Sequence, residues 1–396
     1  MEIVLLNHDY PPYIFGGIGT FMQELAKGLS RKGAKVHVIT GYNETIHSIG
    51  NFRFQRTMEG EIDVLRFPYP SIPPRHTVFQ IWNLKKIMMA LRSLNIDVIH
   101  GQGGATYPAL PNLKRKAPVL VTFHTSPMMA KMASAQSIFH GGSSKDFFTF
   151  FAGYPAFHFP FLKELQHSNA AVAVSGALKS EIVAEMGNRY GEKIMCIHNG
   201  IDVQSLDKDY EAAETSAMES EETILFAGNL FWFKGALRVI KMAYLLQKNN
   251  SRFKIIVHGK GPLSGKMREY ITNLKLKNIE LKGFANRSQL MESMRRCKYV
   301  VIPSFYEACP MILLESMCLG KIPLMLRLPF SSELTEDGKY GILGDGVKNL
   351  TDQLIDSENT GSIAQLSKEI RMFARNQYDI NKTADNYLET YRSLIE

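Results

Sequence analysis

The stretch Tyr299-Val-Val-Ile-Pro-Ser-Phe-Tyr-Glu-Ala-Cys-Pro-Met-Ile-Leu-Leu-Glu-Ser-Met-Cys-Leu-Gly320 decides how the chain folds. Residues 299–302 form a short β-branched run that reads as a buried strand. A loop carrying Glu307 follows, and Pro310 suits the first turn of a helix over about 310–319. Glu315 then lies a turn or more inside that helix, flanked by Leu313, Leu314, Met317 and Leu319. A carboxylate on so apolar a helix is costly without a hydrogen-bonding partner, and two vicinal ribose hydroxyls would serve. The N–H groups of Met311 and Ile312 would face the same direction as Glu307.

The same sequence of strand, loop and helix recurs outward from this point. Thr223–Ala227, Phe253–Val257 and Ile279–Leu281 read as strands, with helices over about 234–249, 263–275 and 287–296. The preceding segment, Asp207–Glu222, is acidic and small (DKDYEAAETSAMESEE) and reads as a linker. In the first half, Glu2–Leu6, Ala34–Thr40, Asp97–His100, Val119–Phe123 and Ala171–Val174 read as strands, with a helix from about Thr20 to Lys32 that Gly33 ends. Such alternation argues parallel sheets covered on both faces. The chain therefore reads as α/β, with two doubly wound domains at 1–205 and 206–378. The last stretch, 379–396, is an amphipathic helix (Tyr387, Leu388, Tyr391, Leu394, Ile395) suited to packing back on the first domain. Ligands of open α/β sheets bind beyond the carboxyl ends of the strands, so residues just after strands are the candidates for function.

Composition agrees with a globular two-domain chain. The 396 residues are 45% apolar and 21% charged, which excludes disordered, collagen-like and coiled-coil classes. No run approaches the ~18 apolar residues of a membrane-spanning helix. The N-terminus lacks the basic start and long apolar stretch of a signal peptide, so a cytoplasmic location is expected. Four cysteines, none in a CxxC, read as buried reduced thiols, and structural zinc is rejected. The net charge of +8 is uneven, since residues 1–200 carry 20 Lys and Arg against 13 acids and the remainder 26 against 25. Such an excess can attract nucleic acid, anionic lipid or phosphorylated small molecules and does not decide among them; without a nucleic-acid module signature or aromatics alternating with the basic residues, no nucleic-acid partner is expected. Residues 251–300, with twelve Lys and Arg against three acids, read mostly as a solvated helical face.

Further motifs follow strands. Pro11-Pro12-Tyr-Ile-Phe-Gly16-Gly17-Ile18-Gly19 precedes a helix, where glycine lets backbone approach a ligand and the helix N-terminus offers N–H groups to an anion. Its spacing is neither GxGxxG nor the P-loop pattern. Gly228-Asn229-Leu230 follows the first strand of the second half, and Lys234-Gly235 starts the next helix, placing a cation well for a phosphate oxygen. Among eleven histidines, His8 and His124 alone follow strands.

The E-x7-E at Glu307 and Glu315, the GN-L-xxx-KG at 228–235, the PP-xxx-GG-x-G near the start, Val174-Ser175 and Asn199-Gly200-Ile201-Asp202 together resemble retaining glycosyltransferases of family 4. The resemblance covers roughly residues 1–394. It implies the GT-B fold, two Rossmann-like domains facing across a cleft with a C-terminal helix crossing back. It implies transfer of a hexose from a nucleoside diphosphate sugar, of UDP-glucose or GDP-mannose type, to a hydroxyl of a sugar or lipid-linked acceptor. Glu315 would hold the donor ribose, and Glu307 the sugar hydroxyls at the reacting end. Lys234 would neutralise the diphosphate with the N–H groups of Gly17, Met311 and Ile312; His124 would contact the sugar. Gly16, Asn229 and Gly259 fall in the donor-binding set, and Gly283-Phe284 would line the base pocket. No metal and no cofactor are implied. The family usually has Arg where Asn229 stands, E-G-F-G where residues 307–310 read E-A-C-P, and H-x-H where His100-Gly-Gln102 stands. Two other readings remain, a non-catalytic sugar-nucleotide-binding module and a GT-B nucleotide-sugar epimerase.

Residues 125–163 are Met- and Phe-rich, with nine aromatics between Phe139 and Phe161. They read as a loop packed on its own domain, as a flap over an apolar acceptor, or as part of a membrane-surface contact. Lys85, Lys86 and Arg92, on a helix with Ile87, Met88 and Leu91, support that last reading.

Overall fold

The computed structural model describes residues 1–13, 16–42, 54–68, 75–107, 109–129, 131–132, 157–213, 220–359 and 363–396. Most of the aromatic segment read as a flap, residues 133–156, lies outside the described residues. The chain falls into two compact units. One holds Met1–Lys131, 157–202 and Ile380–Glu396; the other holds Val203–Asp379.

The first unit is built on eight strands: β1 (Glu2–Leu6), β2 (Lys35–Tyr42), β3 (Gln55–Glu59), β4 (Ile62–Pro68), β5 (Val98–Gln102), β6 (Val119–Phe123), β7 (Ala170–Ala173) and β8 (Ile194–Cys196). Their order is β3-β4-β2-β1-β5-β6-β7-β8, and β3 alone runs antiparallel to its neighbour. β5 and β6 are buried along their whole length and β1 from Ile3 onward, as strands covered on both faces must be. The β3–β4 hairpin, turning at Gly60, was not read from the sequence. β3 is an exposed edge strand with no apolar run to mark it.

Helix Ile380–Ile395 packs on helix Gly17–Arg31 within this unit. The approach is close, because a Cβ at Gly28 would lie 3.0 Å from Ile380 Cγ1 and 3.3 Å from the Ala384 Cβ. Ile380, Ala384, Tyr387 and Tyr391 are buried along the inner face of the returning helix. Helix Arg75–Arg92 turns Ile87 and Leu91 inward, so these two belong to the core and not to any surface contact. Among the described side chains of that helix, Ile81, Trp82 and Met89 are exposed apolar ones, beside exposed Lys85 and Arg92. Among the described residues, no helix is long and apolar enough to cross a membrane.

The second unit carries six parallel strands, β9 (Ser220–Ala227), β10 (Lys254–His258), β11 (Ile279–Gly283), β12 (Cys297–Ile302), β13 (Ile322–Leu326) and β14 (Ile342–Gly344), in the order β11-β10-β9-β12-β13-β14. Both units are thus Rossmann-like α/β sheets. The acidic segment read as a linker is partly helical, since helix Val203–Ala212 covers its beginning and β9 starts at Ser220. Two of its acids have arginine partners. Arg375 grips Asp207 through two hydrogen bonds, one of 2.9 Å, and Arg287 Nε donates to Asp209 at 2.8 Å. Three of the four cysteines, Cys297, Cys309 and Cys318, are buried, whereas Cys196 at the end of edge strand β8 is exposed, contrary to the sequence reading.

Candidate functional site

In the second unit the chain leaves β9 toward β10 on one side and returns through β12 toward β13 on the other. This is the switch point at which open parallel sheets hold ligands. Two loops emerge there, 228–235 after β9 and 303–310 after β12, and they are fastened together. The Phe305 N–H donates to the Phe233 carbonyl at 2.8 Å, and the Trp232 and Phe305 rings stack with centroids 3.6 Å apart. The Arg238 guanidinium lies 3.2 Å from the Phe305 ring centre and donates to the Pro303 and Ser304 carbonyls at 3.0 and 3.2 Å. Burial lowers its pKa to about 10.

So tight a seam dictates glycine at 235. Its φ is +75°, and a Cβ there would lie 2.1 Å from the Pro303 carbonyl oxygen. Lys234, the preceding residue, is thereby held at the seam. Its Nζ donates to Glu307 Oε1 at 2.6 Å, and the Ser304 hydroxyl donates to the same oxygen at 2.9 Å. Residues 73 positions apart therefore form one charged cluster at the switch point.

Glu315 sits a little deeper, buried on helix Met311–Cys318. The Arg287 guanidinium donates to its Oε1 at 2.5 Å, and the same guanidinium reaches Asp209. Burial opposes charge on Arg287, but Glu315 and Asp209 outweigh it and hold the guanidinium above its ordinary pKa. One residue of the stretch read as a solvated basic face is thus the neutralising partner of a buried carboxylate. Met311 and Ile312 open that helix, so their amides stand at its N-terminus, while the Pro310 carbonyl accepts from Leu313 and Leu314.

The remaining candidates of this unit divide. Gly259 has a structural reason of its own, since a Cβ there would lie 1.9 Å from the Gly228 carbonyl oxygen and displace the loop after β9. Asn229 is exposed, with its carbonyl accepting from the Phe231 N–H at 2.8 Å. Phe284, after β11, is 65% exposed, and the Lys260 ammonium lies 5.4 Å from its ring centre.

In the first unit His124 directly follows β6. Its Nε2 lies 2.6 Å from Gln102 Oε1 at the end of β5, and its ring meets Phe21 edge-on with centroids 5.4 Å apart. Burial pushes the pKa of both His124 and His100 down to about 3, so both are neutral near pH 7. The loop after β5 is anchored by buried Glu164, which accepts from the Gly104, Thr106 and Tyr107 N–H groups and the Thr106 hydroxyl at 2.6–2.9 Å. Gly16 and Gly17 are exposed at the start of helix Gly17–Arg31, with Gly16 extended just before it. His8 is half-buried, its Nε2 3.9 Å from an Asp9 oxygen.

Sequence reasoning missed Ser304, Arg287, Arg238 and the role of Gln102. Ser304, Gln102 and Arg287 all lie at or just beyond strand ends, which is the signal that would have found them.

Two Rossmann-like units, with a cation and carboxylates clustered at a switch point, carry a chain that the family models place among the glycosyltransferases of GT-B type. Residues 15–205 match Glycosyltransferase Family 4 and residues 207–376 match Glycosyl transferases group 1, and the chain belongs to this family of glycosyltransferases. An uncharacterized glycosyltransferase of Methanocaldococcus jannaschii is 27% identical over 346 residues, covering 81% of this chain and 79% of the relative. The fold is shared with sucrose-phosphate synthase from Thermosynechococcus elongatus (TM-score 0.75, 15% identity, covering 100% and 99% of the two chains). It is shared too with Anabaena HepE in complex with UDP-glucose (TM-score 0.72, 17% identity, covering 100% of both).

The buried neutral histidines set a pH dependence of stability. Between their folded pKa of about 3 and the ordinary 6.5, the unfolded chain binds more protons, so stability falls as pH falls through this window. The unfolding midpoint is expected to drop from about pH 7 to about pH 5, and to drop less in His100→Gln. An equal drop in the variant would contradict a buried, neutral His100.

Proposed function

We propose that this glycosyltransferase moves a hexose from a nucleoside diphosphate sugar, of UDP-glucose or GDP-mannose type, to a hydroxyl of a sugar or lipid-linked acceptor with retention of configuration. The observation that carries the reading is the Lys234–Glu307 pair at the switch point of the second sheet. The pair is part-buried, and an incoming diphosphate can take the ammonium from the carboxylate because it offers that cation another anion in its place. Glu307 is then released toward the hydroxyls of the sugar. UDP-glucose held by a protein of the same fold supports a nucleotide sugar as the donor.

Lys234 and the amides of Met311, Ile312 and Gly17 take the diphosphate charge, which grows as the bond to the anomeric carbon breaks. The acceptor oxygen bonds that carbon from the face the diphosphate leaves, and the hydroxyl proton passes to the departing phosphate oxygen. Glu315 takes the ribose hydroxyls, Phe284 flanks the base, and His124 meets the sugar. With this charge neutralisation the reaction needs no metal. The reaction belongs in the cytoplasm, and the exposed Ile81, Trp82, Met89, Lys85 and Arg92 on a helix without acidic residues suit an anionic membrane surface beside it.

In EDTA, the sugar nucleotide with the matching base is expected to raise the melting temperature of the wild type and not of Glu315→Ala. Lys234→Ala is expected to cut turnover ~10²–10³-fold with the fold intact. No shift with any UDP-, GDP- or ADP-sugar, or near-wild-type turnover in Lys234→Ala, would contradict the assignment. Vesicles rich in anionic lipid are expected to carry the protein upward in a flotation gradient at low salt; failure to co-migrate would remove the membrane contact.

A further inference from the structure

Gln102 stands where the family usually carries histidine, and it is the sole polar side chain recorded against the imidazole of His124 among the described residues. The two are joined end to end in a buried chain of hydrogen bonds. From the site inward, His124 Nε2 is 2.6 Å from Gln102 Oε1, and Gln102 Nε2 is 3.4 Å from His100 Nε2. His100 Nε2 is also 2.8 Å from the Thr122 hydroxyl, and His100 Nδ1 is 2.6 Å from the Tyr391 hydroxyl. The Tyr387 hydroxyl lies 2.9 Å from that of Thr122. Gln102, His100, Thr122 and Tyr391 are all buried, so each donor and acceptor must find its match inside the chain.

The bookkeeping of protons has one direction. An amide oxygen only accepts, so His124 carries its proton on Nε2. The contact is too short for an amide nitrogen to stand in that oxygen's place. The Gln102 amide nitrogen only donates, so His100 Nε2 is a bare acceptor and receives the Thr122 proton as well. His100 Nδ1 then carries the ring proton and donates to Tyr391, while Tyr387 donates to Thr122. Burial keeps both rings neutral, so the arrangement does not titrate away near pH 7.

We propose that Gln102 is a positioning residue that locks His124 in the Nε2–H tautomer, leaving Nδ1 as a hydrogen-bond acceptor for a hydroxyl of the donor sugar. His124 therefore accepts a proton-bearing hydroxyl and does not donate to a sugar oxygen, and it carries no charge. The 2.6 Å contact selects one orientation of the Gln102 amide, with its oxygen toward His124 and its nitrogen toward His100. The returning helix closes the chain through Tyr387 and Tyr391. The tautomer stands on this geometry alone; its use toward a sugar rests on the function proposed above.

Two measurements separate these parts. With ¹⁵N-labelled histidine, the long-range ¹H–¹⁵N spectrum of the wild type is expected to show His124, assigned by its loss in His124→Gln, with Nε2 protonated and Nδ1 bare. In Gln102→Met, which keeps the length of the side chain and removes the acceptor, the single tautomer is expected to be lost. A wild-type His124 protonated on Nδ1, or an unchanged tautomer in a folded Gln102→Met, would overturn the proposal. Calorimetry with UDP and UDP-glucose (or the GDP pair, if that base is the one bound) reads the consequence. Gln102→Met is expected to weaken the sugar nucleotide about fivefold and leave the free nucleotide unchanged. Equal affinity for the sugar nucleotide in wild type and variant would overturn the role toward the sugar. Absence of binding by the wild type to either compound would instead count against the proposed donor, with the tautomer still read by the spectrum.

Discussion

The hydrogen bond from the Phe305 N–H to the Phe233 carbonyl joins two loops whose strands are neighbours but whose chains depart in opposite directions. At such a point the sheet offers no further strand or helix to fill the space above it, so the loops must support each other. Here they do so with a backbone hydrogen bond, the Trp232–Phe305 stack beneath it, the Arg238 guanidinium against that stack, and a glycine where any side chain would strike Pro303. What this scaffold leaves at its surface is Lys234 and Glu307. Their charges meet because the seam beneath them holds the two loops together.

The two glutamates of the E-x7-E motif are placed in different surroundings and hold different partners. Glu307 is on the loop, shared between an ammonium and a hydroxyl that can both be exchanged. Glu315 is on a buried helix, where losing its counter-ion would leave an uncompensated charge, and Arg287 supplies that counter-ion. Arg287 in turn is fixed by Asp209 from helix Val203–Ala212. The carboxylate assigned to a ribose is thus paired and oriented without a ligand, an arrangement suited to binding and release. In the first unit the corresponding device is uncharged, with His124 oriented by Gln102 through neutral hydrogen bonds in a buried setting.

Much of the fold was legible because the strands that build the middle of each sheet are short apolar runs ending in polar or glycine-rich residues. β1, β5, β6, β9 and β12 all answer to this description. Other strands were not legible. β3 is exposed throughout, β8 has three residues, and β13 begins Ile322-Pro323, a pair that reads against a strand since proline brings no N–H to the ladder. The acidic segment after Asp207 read as linker because composition records charge and not its partners; Arg375 and Arg287, which neutralise Asp207 and Asp209, come from 168 and 78 residues away. The site shows the same division. Lys234, Glu307, Glu315 and His124 announced themselves by type and by position after strands or at a helix start. Arg287 was submerged in a basic stretch, and Gln102 was noticed as a departure from pattern before its contact with His124 gave it a role.

Hydrogen–deuterium exchange with and without the sugar nucleotide that raises the melting temperature tests the central claim most directly, because it reports where the donor is held. Within the second unit, added protection is expected in the loop 228–235 and across 303–316, with the rest of that sheet unchanged. Protection that misses both loops, in a protein that demonstrably binds the nucleotide, would contradict the assignment of the switch point at β9 and β12 as the donor site.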